Sequence, residues 1–446
     1  MNGCFGLARL RNRVCAVMLV AGIPVAQAQP ATNAPAARLA DVLQRLSLAE
    51  AQRIAVERNW DLLAAAAGVD AATAQRIVAK EFPNPSFAFS TTYWNVDNHP
   101  NSTSMGNTLW DRSYDTVFAI TQLFEIGGKR HNRQRSAEAG FEAAKAQFLD
   151  AKRTLDLAVA RAYVEAAVAN ENVGVLRQSA DTLREEVRLA EVRLRAGEIS
   201  EADKSQIEIS AERFELDARA AETAAAQARI ALEVLLGVPH PKDDCVLAER
   251  LEALVGSAPG SGTNSAGVWR PDVLAAEAGW RKAEADLLLQ KAYRVPDPTV
   301  LAQYDHNPPD FPNSIGFGVS FPIPLWNHNR GNILAATAAR DQARLAFEKA
   351  QAQAVADIAT ALLAYEDAAK RWQRYRENIR PKSEQVRKTK AYAYQKGGAS
   401  LLDMLVAERD DNDVRLAANR AAGDMASALA GLNAATFEIQ PAEIKK

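Results

Sequence analysis

Two short stretches hold the residue types that could do chemistry. One reads Gly197-Glu198-Ile199-Ser200-Glu201-Ala202-Asp203, and the other Gly397-Gly398-Ala399-Ser400-Leu401-Leu402-Asp403. In each, a glycine can end one helix, a serine can cap the next, and an aspartate follows the serine by three residues. That aspartate falls in the first helical turn, where the helix dipole favours negative charge. Asp203 and Asp403 are therefore candidate functional carboxylates, with plain helix capping as the alternative. Three cations, Lys129, Arg130 and Arg330, stand where extended segments give way to helices. They can anchor at a lipid headgroup boundary or simply be solvated. Catalytic patterns are missing: there is no GxSxG, no HExxH and no P-loop, so no enzyme is expected. His99, His131, His240, His306 and His328 fall in no ligand spacing, and Cys245 has only His240 nearby, so no metal site or cofactor is expected.

The elements that position these residues are long helices. From Gly127 the chain runs for more than sixty residues with only Gly140 and Gly174 as interruptions. Small or apolar residues recur every seven places at Phe141, Phe148, Leu155, Ala162, Ala169, Leu176, Leu183 and Ala190. A companion row runs Val159, Ala166, Val173, Ala180, Val187, Leu194. That heptad seam predicts a supercoiling helix of roughly 100 Å. By itself it would equally suit an ordinary dimeric coiled coil.

The chain then repeats itself. Residues 1–28 read as a leader peptide, with Arg9, Arg11 and Arg13 before a short apolar run and Ala26-Gln27-Ala28 as the cleavage site. Neither Cys4 nor Cys15 lies in a lipid-attachment context. A flexible lead follows, and Ser47 with Glu50 marks a capped helix start. The first unit, 29–237, has strands at about 86–94 and 114–124 and a helical hairpin at about 127–236. Residues 238–268 read as a linker. The second unit, 269–437, has strands at about 299–305 and 314–322 and a hairpin at about 329–436, before a tail at 438–446. Arg130 and Arg330 are 200 residues apart, as are Gly197 and Gly397, Ser200 and Ser400, and Asp203 and Asp403. Pro83-Asn84-Pro85 is echoed by Pro296-Asp297-Pro298. An internal duplication is the expectation. Polar, turn-forming stretches at 95–112 and 305–313 read as loops, and Pro381 is expected to kink or break its helix.

The strands alternate. Phe87, Phe89, Thr91 and Tyr93 face one way against Ser86, Ala88, Ser90 and Thr92; Ile315, Phe317, Val319 and Phe321 oppose Gly316, Gly318 and Ser320. Four such strands cannot close a barrel alone, and open edges are not tolerated in a bilayer. Three chains would supply twelve strands and a continuous helical cylinder. A mean hydropathy of −0.23, with no 18-residue apolar segment expected beyond the leader, agrees with a barrel. A formal charge of −2 with no basic run excludes a nucleic-acid partner.

The two-fold repeat, the paired Pro-x-Pro, Phe124-Glu125-Ile126-Gly127-Gly128-Lys129-Arg130 and Pro322-Ile323-Pro324-Leu325-Trp326-Asn327-His328-Asn329-Arg330-Gly331-Asn332 resemble the TolC-type outer-membrane efflux proteins, within them the CzcC-like heavy-metal branch. The resemblance implies a mainly α fold with a membrane part: a trimeric 12-stranded β-barrel continued by an α-helical tunnel into the periplasm. It implies a passive duct for cobalt, zinc, cadmium or nickel type cations, or alternatively for drugs and other small organic molecules. Implied partners are a homotrimer, outer-membrane lipid, a periplasmic adaptor and an inner-membrane proton-driven transporter of the resistance-nodulation-division class. It makes Asp403, and less directly Asp203, periplasmic gate residues, although the family's second acid is here Val406. It makes the tips at Gly197, Ser200, Gly397 and Ser400 the adaptor contact. A secreted coiled-coil structural protein or an adaptor is the reading from a different class.

Overall fold

The computed structural model describes residues 45–94, 110, 113–255, 269–307, 311–437 and 439. The expected leader, most of the 95–112 loop, the 256–268 part of the linker and most of the 438–446 tail lie outside the described residues.

Ser47 caps α1 (Leu48–Arg58): its hydroxyl accepts the Glu50 N–H, and the Glu50 carboxylate accepts the Ser47 N–H at 3.2 Å. Asn59 ends α1 and caps α2 (Trp60–Lys80), accepting from the Asp61 and Leu62 amides. Next come β1 (Ser86–Trp94), β2 (Ser113–Leu123), the 67-residue α3 (Lys129–Arg195) and α4 (Glu201–Leu235). A short α5 (Leu251–Val255) precedes α6 (Pro271–Ala292), β3 (Thr299–Asn307), β4 (Phe311–Ser320) and α7 (Arg330–Arg374). A π turn (Tyr375–Ile379) leads into α8 (Arg380–Gln395), and α9 (Leu401–Ala435) ends the helical part.

The seam along α3 buries Leu155, Val159, Ala166, Leu176, Ala180, Leu183 and Ala190. Midway the buried stripe widens to Ala160, Tyr163, Val164 and Ala167, because α1 and α5 pack on α3 there as well as its long neighbours. The fully buried Tyr163 donates its hydroxyl to the Leu46 carbonyl at 2.8 Å.

Beside the sheet and toward the far end the described helices form one layer, with α1 and α5 lying across it at the waist. The same halves of the sequence keep the same order across it. The sheet is antiparallel throughout, β1-β2-β3-β4. Beside the sheet the helices pack in the order α2-α3-α6-α7; toward the far end the order is α4-α3-α9, flanked by the lower part of α7 and by α8. One edge is therefore β1, α2 and α4, and the other is β4, α7 and α8. These edges are poorly buried: α2 buries only Leu62 and Ala79, α7 only Ala354, Ala368 and Trp372, and α8 nothing.

The register puts most of the large apolar residues of the four strands on one face. Phe87 lies opposite Ile120, Phe89 opposite Phe118, Phe118 opposite Tyr304, Ala302 opposite Phe317 and Val300 opposite Val319. Most of this face is open, with Phe317 82% exposed. The other face carries Ser86, Ala88, Ala119, Thr121, Gln303, Gly316 and Gly318, with Val117, Leu123 and Leu301 among its larger apolar members. The Gln303 side chain lies where a Cβ on Gly316 would be, at 3.1 Å, so glycine lets it cross the strand.

Several expectations need correction. An 18-residue apolar window does exist beyond the leader, in α2, with mean hydropathy 1.2. Its apolarity belongs to a layer edge that packs on α3 on one side and has no covering neighbour on its outer side among the described residues. Strands β3 and β4 extend to Asn307 and back to Phe311, so the 305–313 loop is shorter than its prolines suggest. At Pro381 the helix is not broken, but it is irregular: a π turn over Tyr375–Ile379 stands directly before it, the kind of feature at which helices kink, so only the break among the two expected outcomes is absent. The 238–255 part of the linker is packed: Leu46 bridges Leu247, and Cys245, Leu251, Leu254 and Val255 are buried. Within the tail, Ile439 donates its N–H to the Trp269 carbonyl and packs with Ala146 and Leu274.

Candidate functional site

The two hairpin tips are built alike. Gly197 and Gly397 adopt φ of 75° and 73°, a left-handed turn that suits glycine. Beyond them, the Glu198 N–H reaches the Arg193 carbonyl at 2.9 Å and the Gly398 N–H the Ala393 carbonyl at 2.8 Å, closing the helix ends. Ser200 and Ser400 then cap α4 and α9. Each donates its hydroxyl to the aspartate three residues on, at 2.8 Å, and the aspartate N–H returns to the serine oxygen at 3.1 Å. Asp203 and Asp403 therefore both complete capping boxes.

The tips differ beyond that. Asp403 also faces Lys390, with Nζ 3.4 Å from Oδ1. Its carboxyl is held below the usual range by the Ser400 hydroxyl, then by the Ser400 N–H and the Lys390 ammonium. Leu402, Val406 and Tyr392 are exposed around it, while Met404 is buried. Arg193 of α3 stacks on Tyr394 of α8 at 5.3 Å, joining the two tips.

At the sheet end the three predicted boundary cations separate. Lys129 is 3% exposed. Its ammonium is 2.7 Å from Asp297 Oδ1 and donates to the Val295 carbonyl at 2.5 Å. Asp297 also accepts the Ile126 N–H at 2.9 Å. Burial thus removes Lys129 from any headgroup contact; it ties the β2–α3 connection to the α6–β3 connection. Arg130 donates to the Lys80 carbonyl, at 2.6 and 3.1 Å, and stacks on Phe82 at 3.8 Å. Arg330 is exposed. Nearby, Arg133 grips Glu125 through two bonds of 2.6 and 2.9 Å. The sequence offered a hint here, since Glu125 and Arg133 flank the Gly-Gly turn.

Sequence reasoning missed a buried polar layer between α3, α8 and α9. Asp411 and Asn412 are 2% and 3% exposed. Arg387 lies 3.1 Å from Asp411 and 3.4 Å from Glu408, and the Ser179 hydroxyl is 2.6 Å from Asn412 Oδ1. Asp411 Oδ1 and Asn412 Nδ2 have no partner among the described residues. Burial pushes the Glu408 carboxyl up, with Arg387 opposing, and burial likewise raises Glu186 across the interface. A signal existed: Met404, Asp411 and Ala418 fall on one heptad row of α9 and Glu408 on its companion, so acids sit at seam positions.

Among the described residues no group of three or more His, Cys, Asp or Glu side chains is arranged to hold a metal ion. The Cys245 thiol is pushed up to about 12 by burial, and its N–H is held by Glu233 at 3.0 Å.

A profile for the family described as outer membrane efflux protein matches residues 26–238 and 264–436. The chain is 24% identical over 370 residues to the cobalt-zinc-cadmium resistance protein CzcC of Cupriavidus metallidurans, covering 82% of this chain and 83% of that protein. It is 28% identical over 352 residues to the nickel and cobalt resistance protein CnrC of the same organism, covering 76% and 77%. Its fold matches the CmeC outer membrane channel of Campylobacter jejuni with a TM-score of 0.72 at 16% identity, covering 88% of this chain and 86% of that one.

Proposed function

The chain belongs to the outer membrane efflux protein family, and on that premise we propose that it is the passive exit duct of a tripartite efflux system, carrying divalent cations of the cobalt, zinc, cadmium or nickel type out of the cell. The observation that carries this reading is the open-edged layer. Among the described residues the sheet leaves the outer edges of β1 and β4 unpaired, and the helices leave α2 and α4 on one side and α7 and α8 on the other. Unpaired strand edges in a bilayer cost several kcal/mol per group. Three copies joined edge to edge would close the sheet into twelve strands and the helices into a tunnel. The apolar sheet face would then meet lipid and the small, polar face would line the lumen. The match of the whole layer to a solved outer membrane channel supports this, and the names of CzcC and CnrC support a metal cargo.

In this reading the chain is a duplicated unit, 29–237 and 269–437. The partners are two further copies, a periplasmic adaptor at the tips around Gly197, Ser200, Gly397 and Ser400, and an inner-membrane proton-driven transporter of the resistance-nodulation-division class. Asp403, exposed at a tip and ionised over a wide pH range, would form a negative ring of three that favours cations; Asp203 would add a second ring. Arg130 and Arg330 would stand at the periplasmic headgroup boundary.

Deleting the gene is expected to lower the tolerated concentration of cobalt, zinc, cadmium or nickel salts several-fold and leave antibiotic tolerance unchanged. The reverse pattern would favour a duct for organic molecules. In planar bilayers Asp403→Ala is expected to raise conductance or weaken cation preference. Unchanged single-channel behaviour would leave Asp403 a helix cap alone.

A further inference from the structure

A cleft of about 450 Å³ opens at the waist of the molecule, where α1 and α5 lie across α3 and α9. That volume falls in the range of small-molecule sites, about 300–1,000 Å³. Its walls are apolar: Leu48 of α1, Leu157 and Val164 of α3, Leu254 of α5, and Leu429 and Phe437 at the end of α9. None of its lining residues belongs to the edge elements α2, α4, α7 or α8. Closure through those edges therefore leaves it accessible.

The charges on its rim are unevenly satisfied. Arg153 is committed: it donates to Asp150 at 2.7 and 2.9 Å and to the Ala434 carbonyl at 3.2 Å. The Glu249 carboxylate accepts the Leu48 N–H at 3.3 Å. Asp156 is different. It is half-buried, its carboxylate has no hydrogen bond or ion pair among the described residues, and the one charge acting on it comes from Lys152, a turn earlier on the same helix. Burial accordingly pushes its carboxyl up. A half-buried carboxylate beside apolar walls, with a positive charge nearby but no ion pair in contact, is costly, and a cation that enters the cleft relieves that cost. A bare divalent metal ion does not suit the site: it needs about six oxygen donors, most of the lining is hydrocarbon, and no metal-holding group of acidic or imidazole side chains is found among the described residues. An ion carrying its charge on an apolar body satisfies both features.

We propose that this waist cleft binds a hydrophobic organic monocation, with Asp156 as the counter-ion and the α1, α3, α5 and α9 walls as the apolar seat. The proposal rests on the lining of the cleft and does not depend on what the duct carries. The test uses the full-length protein in detergent, with tetraphenylphosphonium as probe and triphenylphosphine oxide as its neutral counterpart. Equilibrium dialysis against protein-free micelles measures saturable binding. One site per chain is expected, and Asp156→Asn should weaken it about tenfold or more. Because the ionised carboxylate is itself unfavourable here, the asparagine variant should fold at least as well as the parent. Ala430→Trp, which plugs the cleft from a half-exposed position, should abolish binding. The neutral compound should bind at least about tenfold more weakly. Equal binding of the two compounds, unchanged binding in Asp156→Asn, or no saturable binding to the parent would each overturn the proposal.

Discussion

At the scale of single residues, the tips and the layer above them use carboxylates in opposite ways. Asp403 is stabilised as an anion by the Ser400 hydroxyl and N–H and by Lys390, so its favourable contribution persists at neutral pH and fades as pH falls through its lowered value. Glu408 is raised by burial, so it stabilises the fold when protonated. That stability is present below the ordinary glutamate value of about 4.3 and is lost as pH rises through the raised folded value. The α3–α8–α9 packing is therefore expected to loosen as pH rises from the acid side toward neutral. Hydrogen exchange of α8 and α9 amides, corrected for intrinsic rates, should report that loosening, and Glu408→Gln should flatten it. An unchanged pH dependence in Glu408→Gln would place its origin elsewhere. Arg387 has a separate role, since it is the counter-charge for both Glu408 and Asp411.

At the scale of elements, close helix approach depends on small residues. On α9, a Cβ at Gly423 would lie 2.4 Å from Val168 Cγ2 on α3. Gly423→Ala must push the helices apart and is expected to cost about 1–3 kcal/mol. Heating in detergent while following the folded form on gels would measure this, and adding Val168→Ala should restore most of the loss. Gly174→Ala is the control: nothing lies within 4 Å of its added methyl, so it should be neutral or stabilising by up to about 1 kcal/mol. The two hairpins also differ. The first holds α4 through buried Ile207, Ala218, Ala225 and Leu232, whereas α8 buries nothing and is held by ion pairs below a π turn.

At the scale of the whole molecule, the open layer is the dominant fact. Its exposed strand face and underburied edge helices make a single chain an incomplete object. Light scattering on detergent-purified protein should give three chains per particle, and a monodisperse single chain would defeat the proposed closure. The apolar sheet face gives a sharper test. Under the proposed closure Phe317→Arg would face lipid, and it should cost up to about 2–4 kcal/mol and reduce the membrane-inserted, heat-modifiable fraction. Gly318→Ser, on the opposite face, should leave that fraction largely intact.

Local patterns are written in the chain. The seven-residue rows of α3, the serine-aspartate caps at the tips and the alternation in β1 and β4 all depend on neighbours a few residues apart, so their spacing could be read directly. The efflux family was legible too, through motifs and their 200-residue offset. Contacts between distant segments were not. Lys129 reads as a boundary cation until Asp297, 168 residues away, arrives beside it, and no spacing along the chain points Arg387 to Glu408 and Asp411, which α9 brings against it. The apolar window of α2, contrary to the expectation of none beyond the leader, is itself a property of the sequence, and what the fold decides is its place on an edge. Tertiary structure decided these because burial and charge pairing depend on which surfaces meet in space, and no periodicity along the chain encodes that meeting.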